Sequence, residues 1–148
     1  MNQLYDLAED IRRCTSCSLW KNRTLAVPGD RKGKVIFVFS HPNEEEDRLG
    51  TLIVEDCSLL EKLGLSKDDC FFTTLIKCYP KKETNLDEHY KTCKSLWLDK
   101  QIKVIDPRVV IVDSKIKKYF SEEFFFVDFD NLDKEIIKKI KNKLTHSN

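Results

Sequence analysis

Residues 35–42 read VIFVFSHP, five consecutive apolar residues of high strand propensity followed by serine, histidine and proline. A run this short, apolar at every position and preceded by the turn residues Pro28, Gly29, Asp30 and Gly33, predicts a strand buried on both faces. Three more runs repeat the pattern, at Phe71–Ile76, Val109–Val112 and Phe124–Val127. Helical spacings separate them. Leu59, Leu60 and Leu63 precede Gly64, and Leu86, Tyr90, Cys93, Trp97 and Val104 form a stripe that Pro107 stops. Ile116–Phe120 suits a short helix, and Leu132, Ile136, Ile137, Ile140 and Leu144 line one side of a terminal one. Thr84 and Asn85 read as caps of the longest helix, with Asp87 and Glu88 in its first turn, and residues 43–51 read as an acidic loop. Apolar strands alternating with helices predict an α/β fold, a three-layer α/β/α sandwich with a central parallel sheet of about four strands.

The chain has 148 residues, with 26 Lys+Arg against 25 Asp+Glu. Its length suits one domain over residues 1–148, with no repeat or linker. A net charge of +1 excludes a protein that holds nucleic acid by bulk charge, so any such binding has to come from a local site. No apolar run approaches the roughly 18 residues of a membrane span. Asp6, Glu9 and Asp10 stand where a secretory signal would be basic and then apolar, so a cytoplasmic location without a membrane partner is expected. Lys134, Lys138, Lys139, Lys141 and Lys143 read as the solvated face of the terminal helix, with phosphate contact the alternative.

Six cysteines in such a chain suggest metal rather than disulfides. Cys14-Thr15-Ser16-Cys17 is a pair able to put two thiolates on one ion or cluster, at the end of a first helix carrying Leu4, Leu7, Ala8 and Ile11. Cys78, after the second strand, and Cys93, on the apolar stripe, are the distant partners. Four thiolates suit zinc or an iron–sulfur cluster equally well. Cys57 and Cys70, in an apolar helix and at a strand start, read as buried free thiols.

The stretch LYDLAEDIRRCTSCSLWKNRTLAVPGD (residues 4–30) resembles the opening of the iron–sulfur branch, family 4, of the uracil-DNA glycosylases. The resemblance extends through Val35–Gly50, Lys77-Cys78-Tyr79-Pro80, and Cys93 through Gln101-Ile102 to Pro107 and Val112, about residues 4–113. It implies a 4Fe-4S cluster held by Cys14, Cys17, Cys78 and Cys93, zinc being the alternative, and a cluster-binding segment over about residues 1–30. It also implies DNA as partner, uracil-containing or single-stranded, and leaves room for a protein partner; Arg23, Lys77, Lys81 and Lys82, near those cysteines in sequence, read as a local basic patch, with scattered solubilising charge the alternative.

Uracil excision requires a flipped nucleotide, an aromatic ring to stack on, an amide to read the base edge, and stabilisation of a sugar cation and an anionic base. The family's loop reads Gly-Glu-Ala-Pro-Gly, two residues, then Glu-Asp. Here it is Phe39-Ser40-His41-Pro42-Asn43, then Glu44, Glu45, Glu46 and Asp47, so that only Pro42, Glu46 and Asp47 match. Ser40 stands for the loop carboxylate, Ile53 for the stacking phenylalanine and Thr74 for the base-reading asparagine, while the Phe39 ring is expected where backbone N–H groups would approach the base. Where the family has a His-Pro-Ser motif, this chain runs Phe126-Val127-Asp128-Phe129-Asp130-Asn131, and Thr145-His146-Ser147 reads as a frayed tail. The expectation is a DNA-binding or scaffold relative of the base-excision repair enzymes that has lost catalysis. The alternatives are an active glycosylase rebuilt around His41 and Asp47, and a zinc or redox interaction module.

Overall fold

The computed structural model describes residues 3–21, 23–31, 33–53, 58–81, 85–121 and 124–146. Its sheet has five strands, β1 (Asp30–Arg31), β2 (Val35–Phe39), β3 (Cys70–Thr74), β4 (Val109–Asp113) and β5 (Phe125–Val127). Their order is β1-β3-β2-β4-β5, and the last four are mutually parallel, as expected. The two-residue β1 is an addition, antiparallel to β3 at one edge. Strand β3 is shorter than its apolar run: Leu75 and Ile76 leave the ladder, yet their N–H groups still bond Phe39 O at 2.9 Å and Ser40 O at 3.1 Å.

The period of two along each strand divides the core. Ile36, Val38, Phe71, Val110 and Val112 face one layer, containing α1 (Gln3–Arg12), α4 (Asp87–Cys93) and α5 (Asp99–Ile105). Val35, Phe37, Phe72, Val109 and Ile111 face the other, where α3 (Ser58–Leu63) packs on α6 (Lys134–His146) through Leu59, Leu60, Leu63 and Ile140. The five α6 lysines are exposed, and among the described residues no helix is long and apolar enough to cross a membrane.

Three expectations are corrected. The acidic loop contains a helix, α2 (Glu44–Leu49), because Asn43 and Glu46 close a capping box: Asn43 Oδ1 accepts from Glu46 N and Glu46 Oε1 from Asn43 N, both at 2.9 Å. The longest helix starts after Leu86, which caps it without a side-chain bond, so Asn85 is not its cap; Thr84 lies outside the described residues. A π-helical turn, Lys94–Leu98, joins α4 to α5 and rotates the stripe, burying Leu98, Gln101 and Ile105 where Val104 was expected. Cys70 is buried as expected, whereas Cys57 lies outside the described residues.

Candidate functional site

The chain leaves α1 through a turn, Cys14 N bonding Ile11 O at 3.1 Å, and this delivers Cys14 and Cys17 to the helical layer. Cys78 arrives from the loop after β3 and Cys93 from the end of α4, both buried. N–H donors surround these sulfurs. Trp97 Nε1 donates to Cys14 Sγ at 3.2 Å, Arg23 Nη1 to Cys78 Sγ at 3.1 Å, the Lys77 backbone to Cys93, and the Leu19 backbone and His89 to Cys17. The Cys93 thiol shares its proton with Cys17, which holds Cys17 down at about 5 despite partial burial and pushes Cys93 up. Burial raises Cys78, against the opposing pull of Arg23.

Such N–H groups stabilise sulfur that carries negative charge, so the donor set fits a group bound by thiolates. Among the described residues, no three Cys, His, Asp or Glu side chains are grouped so as to hold one metal ion. A single zinc would require sulfurs about 2.3 Å from one point. Sequence reading placed Trp97 on the Cys93 stripe without giving it a role toward the sulfurs, and missed His89, which stands four residues before Cys93 on α4, a spacing that shares a face.

The proposed basic patch is revised by burial. Lys77 is 1% exposed, and its Nζ donates to Thr73 Oγ1 at 2.7 Å and to Thr74 O. Thr73 Oγ1 donates in turn to Gln101 Oε1 at 3.0 Å, and Gln101 Nε2 to Pro28 O at 2.6 Å. Burial pulls the ammonium pKa down to about 7. Lys77 therefore joins β3 to α5 and the Pro28 turn and cannot meet a phosphate at the surface. Arg23 is committed to Cys78 and, through Nη2, to Arg12 O at 3.1 Å. Lys81 is exposed, and Lys82 lies outside the described residues.

Two of the base-pocket counterparts, Ser40 and Thr74, lie at the carboxyl ends of the parallel strands. There the connections leaving the neighbours β2 and β4 run to opposite sides, the usual place for a ligand in a doubly wound sheet. The register pairs Phe39 with Thr74, one residue before Ser40. Ser40 meets the Tyr90 phenol, whose pKa is raised by burial and, to a lesser extent, by Tyr119 and Asp113 nearby. Thr74 Oγ1 is buried without a hydrogen-bond partner. Phe39 does not crowd the loop as expected, since its ring packs on Phe129 at 5.0 Å against the α3/α6 layer. His41 Nδ1 lies 2.9 Å from Pro42 O.

The two surviving acids of the loop hold backbone. Asp47, 3% exposed, accepts from Thr24 N at 2.8 Å and Leu25 N at 3.4 Å. Glu46 closes the capping box with one oxygen and accepts from Ile53 N at 2.9 Å with the other. His41 and Asp47, the pair named for a rebuilt site, thus have different surroundings: a half-exposed ring and a buried acceptor.

Comparison with known proteins agrees with this architecture. Residues 26–127 match the model of the Uracil DNA glycosylase superfamily. A type-4 uracil-DNA glycosylase of Sulfurisphaera tokodaii is 35% identical over 119 residues, covering 75% of this chain and 54% of that protein. Those of Saccharolobus solfataricus and Archaeoglobus fulgidus are 33% and 29% identical, each covering 97% of this chain and respectively 68% and 73% of their own lengths. The chain thus spans about half to three quarters of these relatives. With the predicted sandwich in place and most of the chain matched, it belongs to the uracil-DNA glycosylase superfamily.

Proposed function

We propose that this protein binds DNA through a single glycosylase-like domain, braced by an iron–sulfur cluster on Cys14, Cys17, Cys78 and Cys93, and that it does not excise uracil. The observation that carries the loss of catalysis is the use of Glu46 and Asp47. Both surviving loop carboxylates are occupied by backbone N–H groups, while Ser40 brings no charge to the loop. Thr74 cannot read a base edge as donor and acceptor at once with one hydroxyl, and Ile53 offers no π face. Loss of one electrostatic or acid–base group typically costs on the order of 10²- to 10⁴-fold in rate, and several are missing together.

The cluster, when bound, supplies a rigid covalent junction, and the residues around it supply the rest. Trp97, His89 and Arg23 orient the sulfurs, and Arg23 also ties the cysteine loop to the end of α1. That junction fixes the segment leading to Val27, whose N–H bonds Lys77 O at 2.7 Å, and so sets the loops at the carboxyl end of the sheet.

The test is uracil release from single- and double-stranded uracil-containing DNA in single turnover, with excess anaerobically purified protein. DNA binding without release is expected. Release abolished by His41→Ala would establish the rebuilt site instead.

A further inference from the structure

We propose that a cleft between α1, the Arg23–Ala26 segment and the end of α2 is a nucleic-acid subsite, in which Arg12 and Arg23 receive a phosphodiester and Leu25 and Leu49 wedge against the adjacent base. The inference rests on the DNA-binding reading and names the surface that carries it. The cleft has a volume of about 430 Å³ and is lined by both arginines, both leucines, Gly50 and Thr51, among others. Among the described residues no carboxylate lines it, so the guanidinium charge favours an anion.

Exposure singles out the leucines. Leu25 is 47% and Leu49 46% exposed, and the only other large apolar side chains so exposed among the described residues are Tyr5 and Trp20. Scattered exposed leucines need no explanation, but two lining the same arginine cleft form an apolar edge beside a cationic floor. That combination suits a nucleotide, with its anionic phosphate and flat apolar base faces. Apolar wedges of this kind enter base steps in architectural DNA-binding proteins. Two leucines on unconnected segments are too few for the apolar face of a membrane-lying helix, so an anionic lipid surface fits less well.

The wedge is held in place. Asp47 fixes the Thr24 and Leu25 backbone, while Gly50 ends α2 at φ 74°, its N–H bonding Glu46 O at 2.8 Å. The Leu25 side chain lies over Gly50 so closely that an added Cβ there would come within 3.0 Å of Leu25 Cδ1. Two of the Arg23 nitrogens are committed to Cys78 and Arg12 O, which aims the guanidinium and leaves further N–H groups for a phosphate. Arg12 shares one nitrogen with Glu9 at 2.6 Å. Because α2 follows β2, and Val27 bonds the chain just past β3, the cleft opens at the same end of the sheet as Ser40 and Thr74.

The experiment uses the full chain with its cluster and a duplex carrying 2-aminopurine beside a deoxyuridine. Wild-type protein should bind in a salt-dependent way and raise the fluorescence as the neighbouring step unstacks. The double substitution Leu25→Ala, Leu49→Ala should bind about tenfold more weakly and lose the fluorescence rise. Leu49→Ala alone should lose part of each, which keeps the test decisive if the double variant folds poorly. Arg12→Ala should flatten the slope of log affinity against log salt by about 0.7–0.9, the release of one counterion equivalent. Wild-type binding with all variants unchanged overturns the subsite and leaves the DNA-binding reading standing, whereas absence of wild-type binding overturns both. Equal leucine-dependent binding to phosphatidylserine vesicles, with no competition from DNA, overturns the choice of ligand.

Discussion

Substituting Asp47 separates a carboxylate that holds the fold from one that does chemistry. Its carboxylate is 3% exposed and receives Thr24 N at 2.8 Å and, more weakly, Leu25 N at 3.4 Å. A hydrogen bond to a charged group contributes about 1.5–3 kcal/mol, and losing its acceptor strands the donors away from water. Asp47 also lies in the first turn of α2, where a negative charge gains about 0.3–1 kcal/mol from the helix dipole. Asp47→Ala should therefore cost about 3–4 kcal/mol, a large fraction of the 5–15 kcal/mol typical of a whole domain. Asp47→Asn keeps an oxygen at the same place and should cost about 1–2 kcal/mol. Urea unfolding followed by tryptophan fluorescence measures both, since Trp20 and Trp97 lie in or beside the cysteine segment that Asp47 helps to anchor. An unchanged midpoint in Asp47→Ala, together with loss of uracil release or of DNA affinity, would refute the structural role and return this carboxylate to the reaction.

Cys17→Ser should strip iron and acid-labile sulfide from the purified protein and speed proteolysis of the segment after α1; one zinc per chain in the wild type would show the alternative metal instead. Thr74→Val removes a buried hydroxyl without a partner and should stabilise the protein by about 1 kcal/mol. A lower urea midpoint for that variant would mean that the hydroxyl is engaged. Tyr119 donates its hydroxyl to Asp87 and, with Lys118, holds that carboxyl below the usual range. The depressed carboxyl contributes stability above its unfolded pKa, and that contribution disappears as pH falls through the folded value. Tyr119→Phe should raise the Asp87 midpoint in an NMR titration and make the protein less sensitive to acid; an unmoved midpoint would show that Lys118 alone sets it.

The layered fold was legible because each strand is apolar at consecutive positions, which only burial on both faces explains, and because the helices between them carry their own period. The cysteine spacing and the loop substitutions at Ser40, Ile53 and Thr74 were likewise visible as sequence. Helix α2 was not, since four successive acids look solvated until the reciprocal bonds of Asn43 and Glu46 are seen to start a helix. The π turn also escaped, because one extra residue in a helical turn shifts a stripe without altering its composition.

By itself the sequence determined the four parallel strands and the main helices between them, the thiol set and the residue types available to the pocket, all of which follow from local periodicity and chemical identity. Tertiary structure alone decided what the charged groups do. Lys77 follows a strand in a basic turn and reads as a surface cation, yet the Pro28 turn and Gln101 close over it. Asp47 sits in an acidic run and reads as a solvated or catalytic acid, yet it receives the N–H groups of residues 22 and 23 positions earlier in the chain. The fate of a charge depends on desolvation and on the donors and acceptors brought to it from distant segments, and no pattern within its own segment records those partners.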